Sequence, residues 1–274
     1  MPEGDTVYRQ AGVLRAALEG RVLAATDFRV PKYAVADLSG ETVSAVLSRG
    51  KHLLIRAGGY TIHSHLKMEG TWHVYGRGAD GSFERWRKPA HTARCVLSTA
   101  SHSAVGFSLG LLELRPTTDE EDMVGYLGPD LLGPDWDAGR ALERLSAAPG
   151  RAIGVALLDQ RNLAGIGNVF RSDICFLAGV HPATPVGDVG NLPKIVALSK
   201  TLLEANKDRS RRSTTGGPAV GDAATWVYGR EHRACKRCRT RIVRTDLGEA
   251  AGRDAPGAAE RIIYFCPHCQ PAPA

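Results

Sequence analysis

No apolar run in this 274-residue chain approaches the roughly 18 residues needed for a membrane-spanning helix. The start, MPEGDTVYR, lacks both a basic n-region and an apolar h-region, so the expectation is a soluble, unsecreted protein. No internal repeat or low-complexity tract occurs, which argues against a solenoid or a disordered array. A disulfide framework is also missing. Of six cysteines, Cys95 and Cys175 stand alone among apolar residues and the other four form two CxxC pairs near the C-terminus, a pattern that in a cytosolic chain points to metal.

What is present is enough for about two domains, with 43% hydrophobic residues to build their cores. The formal charge of +6 is unevenly placed: residues 1–205 hold 22 basic and 22 acidic side chains, whereas residues 206–274 hold 13 and 7. A localised basic segment favours a polyanionic partner, but charge alone separates nucleic acid poorly from an acidic surface or a solvated face.

Helical spacing near the start puts Val7, Ala11, Leu14 and Leu18 on one face. Short β-rich pieces follow, VLAATDFRV, ETVSAVLSRG, KHLLIRAG, YTIHSHLKM, TWHVYG, ARCVLST and SAVGFSL, separated by Gly, Asp and Ser as in a β-sandwich or barrel. GRGADGSFERWRKP reads as a loop, and LGPDLLGPDW, with two Gly-Pro-Asp turns, as a domain boundary. From about residue 137 helical spacing takes over in DAGRALERLSAA, AIGVALLDQ, NVFRSDICFLAG and LPKIVALSKTLLEANK. Residues 209–222, RSRRSTTGGPAVGD, read as a mobile loop, and TWVYGR after them as a short extended piece.

The cysteine pattern is Cys235-x2-Cys238, then 27 residues, then Cys266-x2-Cys269. Four thiolates satisfy a tetrahedral Zn²⁺ with no open position, so the expected site is structural. A redox dithiol is the bland alternative, disfavoured by the presence of two such pairs. Lys236, Arg237, Arg239 and Arg241 surround the first pair, where they would lower thiolate pKa values and face an anion.

Gly165-Ile166-Gly167-Asn168 falls between two apolar-periodic segments, so the chain turns there and a helix opens at or near Asn168. Such an N-terminus offers backbone N–H groups to a phosphate. A dinucleotide fingerprint would need glycine where Phe170 stands and a preceding strand, and an ordinary helical hairpin fits this stretch equally well. At the other end, removal of Met1 before the small residue Pro2 would leave a secondary amine with a pKa near 8 that can act as a nucleophile, with Glu3 beside it as a proton donor. His63 and His65 share a strand face, but no carboxylate or cysteine stands at matching spacing, so a core or phosphate-facing role is expected of them.

Taken together, PEG at the start, SRGKHLLI around Lys51, SHLKMEG at 64–70, LGPDLL, LLDQ…AGIGN, VYGR before the first knuckle and RIIYFCPHCQ at the end resemble the formamidopyrimidine-DNA glycosylase and endonuclease VIII family. The resemblance runs from Met1 to Gln270, and PEG in place of PEL is similar to the endonuclease VIII side, especially its actinobacterial branch.

That resemblance implies an α+β fold: an N-terminal catalytic β-sandwich over residues 1–130, a helix-two-turns-helix DNA-binding domain over 131–228, and a zinc-finger β-hairpin over 229–274. It implies a bifunctional glycosylase and AP lyase of base-excision repair acting on oxidised pyrimidines in a flipped-out nucleotide. Pro2 would attack C1′, Glu3 would donate the proton, Lys51 would serve β-elimination and Arg261, five residues before Cys266, δ-elimination. Asn168 and Gly167 would grip phosphate, and Met68, beside Lys67, would be the wedge filling the gap left by the flipped base, with a buried strand residue as the alternative reading of Met68. The implied partners are damaged DNA and one structural Zn²⁺, for a monomer in the bacterial cytoplasm and nucleoid. A purine-specific formamidopyrimidine enzyme, or a DNA-binding protein without chemistry, shares the same scaffold.

The chain also departs from the family. Thr6, beside Asp5, occupies the place of the usual early acid; Lys67 and Glu69 flank the wedge where Gln and Tyr are common; no Arg-x-Phe motif occurs over 111–126, which argues against 8-oxoguanine; and the inter-knuckle stretch TDLGEAAGRDAPGAAE is long, reading as a flexible hairpin tip.

Overall fold

The helix expected at the start is α1 (Gly4–Leu18), whose Val7, Ala11, Leu14 and Leu18 are each at most 1% exposed. It lies in the first of two units into which the chain divides, Met1–Tyr126 and Leu127–Ala274, in a computed structural model that describes residues 2–248 and 261–273.

The first unit holds eight strands in two antiparallel sheets, β1 (Ala25–Phe28), β6 (Ala93–Ser98), β7 (His102–Phe107) and β5 (Thr71–Gly76) in one, and β2 (Val43–Arg49), β3 (His52–Ala57), β4 (Tyr60–His65) and β8 (Leu111–Pro116) in the other. Leu23, Phe28, Val46, Leu53, Ile55, Ile62, Cys95 and Leu97 share a buried core with the apolar face of α1. This is the sandwich that the alternating pieces imply. β8 is absent from the strands expected from sequence, although Leu112, Glu113, Leu114 and Arg115 alternate apolar and polar and the two leucines pack against the core. It is a strand by virtue of its register against β4, where His63 pairs with Glu113 and His65 with Leu111. A short helix, α2 (Glu120–Val124), follows.

The second unit contains α3 (Ala138–Ser146), the single turn α4 (Ile153–Ala156), α5 (Asn168–Ala178) and α6 (Leu192–Glu204) around Leu145, Ile153, Leu157, Ile166, Phe170, Ile174, Ile195 and Leu203. Asp137 and Asn191 cap α3 and α6, each accepting a backbone N–H at 3.0 Å. β9 (Val243–Leu247) and β10 (Arg261–Phe265) form an antiparallel hairpin in which Arg261 pairs with Leu247. The hairpin tip expected around 249–260 lies outside the described residues.

Two local expectations change. TWVYGR is a turn and not a strand, because the buried Asp173 carboxylate of α5 collects the backbone N–H groups of Trp226, Val227 and Tyr228 at 2.9, 2.9 and 3.1 Å. The stretch expected to be a mobile loop is fastened near its beginning. Asn206 and Ser213 exchange two hydrogen bonds at 2.7 and 3.0 Å, and the Thr214 hydroxyl donates to Asp173. Asp173 is 41 residues from Thr214, so composition alone could not reveal that anchor.

Candidate active site and nucleic-acid interface

Pro2 immediately precedes α1, and Glu3 is the N-cap residue of that helix. The Glu3 carbonyl accepts from Thr6 N–H at 3.0 Å and Val7 N–H at 3.1 Å, which starts the helix, while the residue as a whole is fully buried. Asp5 is buried in the first turn and accepts from the Thr6 hydroxyl at 3.3 Å, so the displaced early acid still points into the interior at the helix N-terminus. The Glu3 carboxyl therefore belongs to the residue adjacent to Pro2, whose nitrogen becomes an amine once Met1 is removed.

Lys51 stands on a two-residue hairpin turn. Arg49 pairs with His52, Gly50 has φ +56, and Lys51 follows as the second central residue, the arrangement that favours glycine first in a hairpin turn. Next to it, β4 ends at His65 and the chain leaves the strand. Lys67 adopts φ +54 and donates its N–H to His65 Nδ1 at 2.9 Å, and Gly70 N–H closes the turn on the Leu66 carbonyl at 2.9 Å. Leu66 is buried whereas Met68 is 65% exposed, so the alternation of a half-buried strand stops here and Met68 projects from a loop. Gly110 makes this loop possible: a Cβ there would meet Lys67 Cγ at 2.1 Å, and its N–H donates to the His65 carbonyl at 3.1 Å. Ser108, Leu109 and Gly110 connect β7 to β8.

His63 is buried, as a core role requires, and β8 brings to it a carboxylate that no local spacing offers. His63 Nδ1 lies 3.0 Å from Glu113, His63 Nε2 lies 2.8 Å from His52 Nδ1, and the Tyr126 hydroxyl lies 3.2 Å from His52 Nε2. Glu113 is 50 residues from His63, so no spacing rule could find it. Burial, followed by neighbouring His63, pushes the His52 imidazole down to about 3, and burial, followed by Lys67, pushes His65 down to about 4. Burial also lowers His63, against the opposing pull of Glu113.

In the second unit Gly167 is the N-cap residue of α5 and Asn168 its first residue. Gly165 has φ +117, and Gln160 braces the turn by accepting Gly165 N–H at 2.9 Å and donating to the Ile166 carbonyl at 3.0 Å. The buried Oδ1 of Asn168 has no hydrogen-bond partner among the described residues.

Arg171, one turn further along α5, is a buried cation whose partners composition conceals. It is fully buried, and its guanidinium donates to the carbonyls of Gly154 at 3.1 Å, Arg261 at 2.8 Å and Ile262 at 3.1 Å. It thereby ties the helix that starts at Asn168 to the first residues of β10. Arg261 is exposed, with its backbone held in this way.

The four cysteine sulfurs lie within 4.8 Å of one another, with Cys235 to Cys269 at 3.9 Å and Cys238 to Cys266 at 3.4 Å. Tetrahedral bonds of about 2.3 Å to one zinc place sulfurs about 3.8 Å apart, so the donor set fits that ion. The basic residues around it have distinct duties. Lys236 Nζ donates to the carbonyls of Ala223 at 3.2 Å and Thr225 at 2.6 Å, and Arg237 stacks on Phe176 at 4.4 Å, whereas Arg239 and Arg241 are exposed. Cys95 and Cys175 are buried outside the cluster, and burial pushes the Cys175 thiol up to about 12 and raises that of Cys95 as well.

A formamidopyrimidine-DNA glycosylase N-terminal domain profile matches residues 1–108, and the H2TH domain profile of the same enzymes matches 127–204. The chain is 51% identical to a "Probable endonuclease 8 2" of Streptomyces coelicolor over 100% of this chain and 95% of that protein. It is 46% identical to the DNA-(apurinic or apyrimidinic site) lyase Nei2 of Mycolicibacterium smegmatis over 99% and 100% of the two chains. Its fold matches that of the Lactococcus lactis formamidopyrimidine-DNA glycosylase bound to AP-site DNA, with a TM-score of 0.77 at 21% identity, covering 98% and 100% of the two chains.

Proposed function

The chain belongs to the formamidopyrimidine-DNA glycosylase and endonuclease VIII family, and on that premise we propose that it is a DNA glycosylase and AP lyase that removes oxidised pyrimidines from DNA. The observation that carries the reading is Glu3, fully buried at the N-cap of α1 and covalently next to Pro2. Once Met1 is removed, the Pro2 amine attacks C1′ of the damaged nucleotide while Glu3 supplies a proton, the base leaves and the sugar remains as a Schiff base on Pro2. Lys51 then assists β-elimination and Arg261 δ-elimination. Damaged DNA is the partner of a monomer in the bacterial cytoplasm. Asn168 and Gly167 hold its phosphate at the start of α5, and Lys67 and Met68 enter the gap left by the flipped nucleotide.

The lack of an Arg-x-Phe motif over residues 111–126 supports the pyrimidine reading over a purine-specific one. The sulfur separations support one structural Zn²⁺ on Cys235, Cys238, Cys266 and Cys269, whose binding would fix the β9–β10 hairpin. Metal analysis should return one zinc per chain, and Cys238→Ser should lower both zinc content and DNA affinity. Among the described residues, no helix is long and apolar enough to cross a membrane.

The deciding experiment incubates protein lacking Met1 with duplexes carrying thymine glycol, dihydrouracil or 8-oxoguanine in the presence of borohydride. A covalent adduct on the pyrimidine lesions, lost in Pro2→Gly, is expected. An adduct confined to 8-oxoguanine would establish the purine enzyme, and binding without any adduct would establish a DNA-binding protein without chemistry.

A further inference from the structure

The hydrogen-bonded series Tyr126, His52, His63, Glu113 crosses three strands of one sheet and has no role in the chemistry proposed above. His52 and His63 are 8% and 2% exposed, and their rings stack with centroids 5.0 Å apart and planes inclined by 26°. A shared metal does not explain the pair, because nitrogens on one tetrahedral zinc lie about 3.3 Å apart and these lie 2.8 Å apart, the distance of a shared proton.

The proton positions follow from the donor and acceptor inventory. A carboxylate at Glu113 only accepts, so His63 carries its proton on Nδ1. In a neutral ring His63 Nε2 is then an acceptor, which puts the His52 proton on Nδ1. His52 Nε2 accepts in turn from the Tyr126 hydroxyl. Every polar atom of the series is satisfied with both rings uncharged, in one tautomer and one direction. A second proton on His63 would leave its bond to Glu113 unchanged and reverse the other two, so that His63 Nε2 donates to His52 Nδ1 and His52 Nε2 donates to the Tyr126 oxygen.

The charged groups facing the series are Lys51 and Lys67 on the His52 side, with His65 beside them, and Arg115 and Glu120 on the His63 side. Lys51 precedes His52 directly, at a turn whose other end is fixed by the Arg49–His52 pair. We infer that Tyr126, His52, His63 and Glu113 are positioning residues for Lys51, holding the adjacent imidazole neutral and in one orientation so that the Lys51 ammonium stands beside an uncharged ring. No bond in the series is made or broken during turnover. The inference rests on the elimination role proposed for Lys51.

Glu113→Gln tests it, since glutamine keeps the shape but presents either an acceptor or a donor and so no longer dictates the His63 tautomer. Three measurements apply to wild type and variant: imidazole ¹⁵N spectra, single-turnover cleavage of a duplex with a preformed abasic site between pH 5 and 8, and borohydride trapping on the same duplex. In wild type, His52 and His63 should both show Nδ1–H. In Glu113→Gln the tautomers should mix, cleavage should fall roughly tenfold, and trapping through Pro2 should stay within about twofold. Because Glu113 raises the affinity of His63 for a proton, the acid limb of the cleavage profile should move to lower pH in the variant. Should Glu113→Gln not fold, Tyr126→Phe, which removes one hydroxyl from a half-exposed residue, should lower cleavage in the same direction while sparing trapping. Wild-type His63 carrying its proton on Nε2, or cleavage and pH profile both unchanged in the folded variant, would overturn the inference. A uniform loss of cleavage and trapping would also overturn it by showing a merely structural role. Failure of wild type to trap at all would instead defeat the enzymatic reading, and the tautomers would still decide whether the series exists as described.

Discussion

The guanidinium of Arg171 donates to the backbone carbonyl of Arg261 at 2.8 Å, from the interior of α5 to the first residue of β10. The residue assigned to δ-elimination is therefore placed through its backbone by a cation that is itself wholly buried.

Arg171→Leu should remove the donors of three carbonyl contacts at once. Leaving such acceptors buried and unpaired costs about 1–3 kcal/mol, which denaturant titration should register. In the folded fraction, end products resolved on a gel should shift from δ- toward β-elimination, since Arg261 loses its backbone anchor while Pro2 and Lys51 are untouched. An unchanged product ratio would separate Arg171 from the chemistry.

Asp173→Asn should loosen the turn at 226–228. The carboxylate accepts three backbone N–H groups and the Thr214 hydroxyl, and an amide would set its own NH₂ against some of those donors. Burial raises this carboxyl above its ordinary value, and the four donors pull against that shift. A stability loss of about 2 kcal/mol is expected, with faster amide exchange at Trp226, Val227 and Tyr228. Unaltered exchange there would remove Asp173 as the organiser of the turn.

Stability should fall with acid because of the buried histidines. His52 is lowered from an ordinary 6.5 to about 3 in the folded protein, so the unfolded chain binds its proton first. This contribution is complete above pH 6.5 and is lost as the pH falls from there toward 3, with a slope of up to ~1.4 kcal/mol per pH unit for each such group. Denaturation at pH 7.5 and 5.0 should show the loss, and His52→Gln should flatten it. An equal slope in the variant would place the acid sensitivity elsewhere.

Salt dependence of DNA binding should distinguish the basic residues around the cysteines. Neutralising exposed Arg239 should reduce the slope of log K against log salt by up to about 0.9 if it contacts one phosphate. Lys236→Met should alter it less, because its ammonium is engaged by two backbone carbonyls. Identical slopes in wild type and Arg239→Ala would leave that charge as a solvated face.

Much of the molecule is legible in local patterns. The spacing of Val7, Ala11, Leu14 and Leu18 specifies α1, Gly50-Lys51 between two apolar runs specifies a hairpin turn, and the paired CxxC motifs specify a tetrahedral sulfur site, because each depends on residues a few positions apart or on chemistry belonging to one residue type. The pairing of His63 with Glu113, the support of Lys67 by Gly110, the capture of 226–228 by Asp173 and the hold of Arg171 on β10 have no such signature. Sequence determined which groups were available and which short elements would form. Only tertiary structure decided which buried polar groups became partners, because burying a donor or acceptor is tolerable only when folding brings its complement from a distant part of the chain.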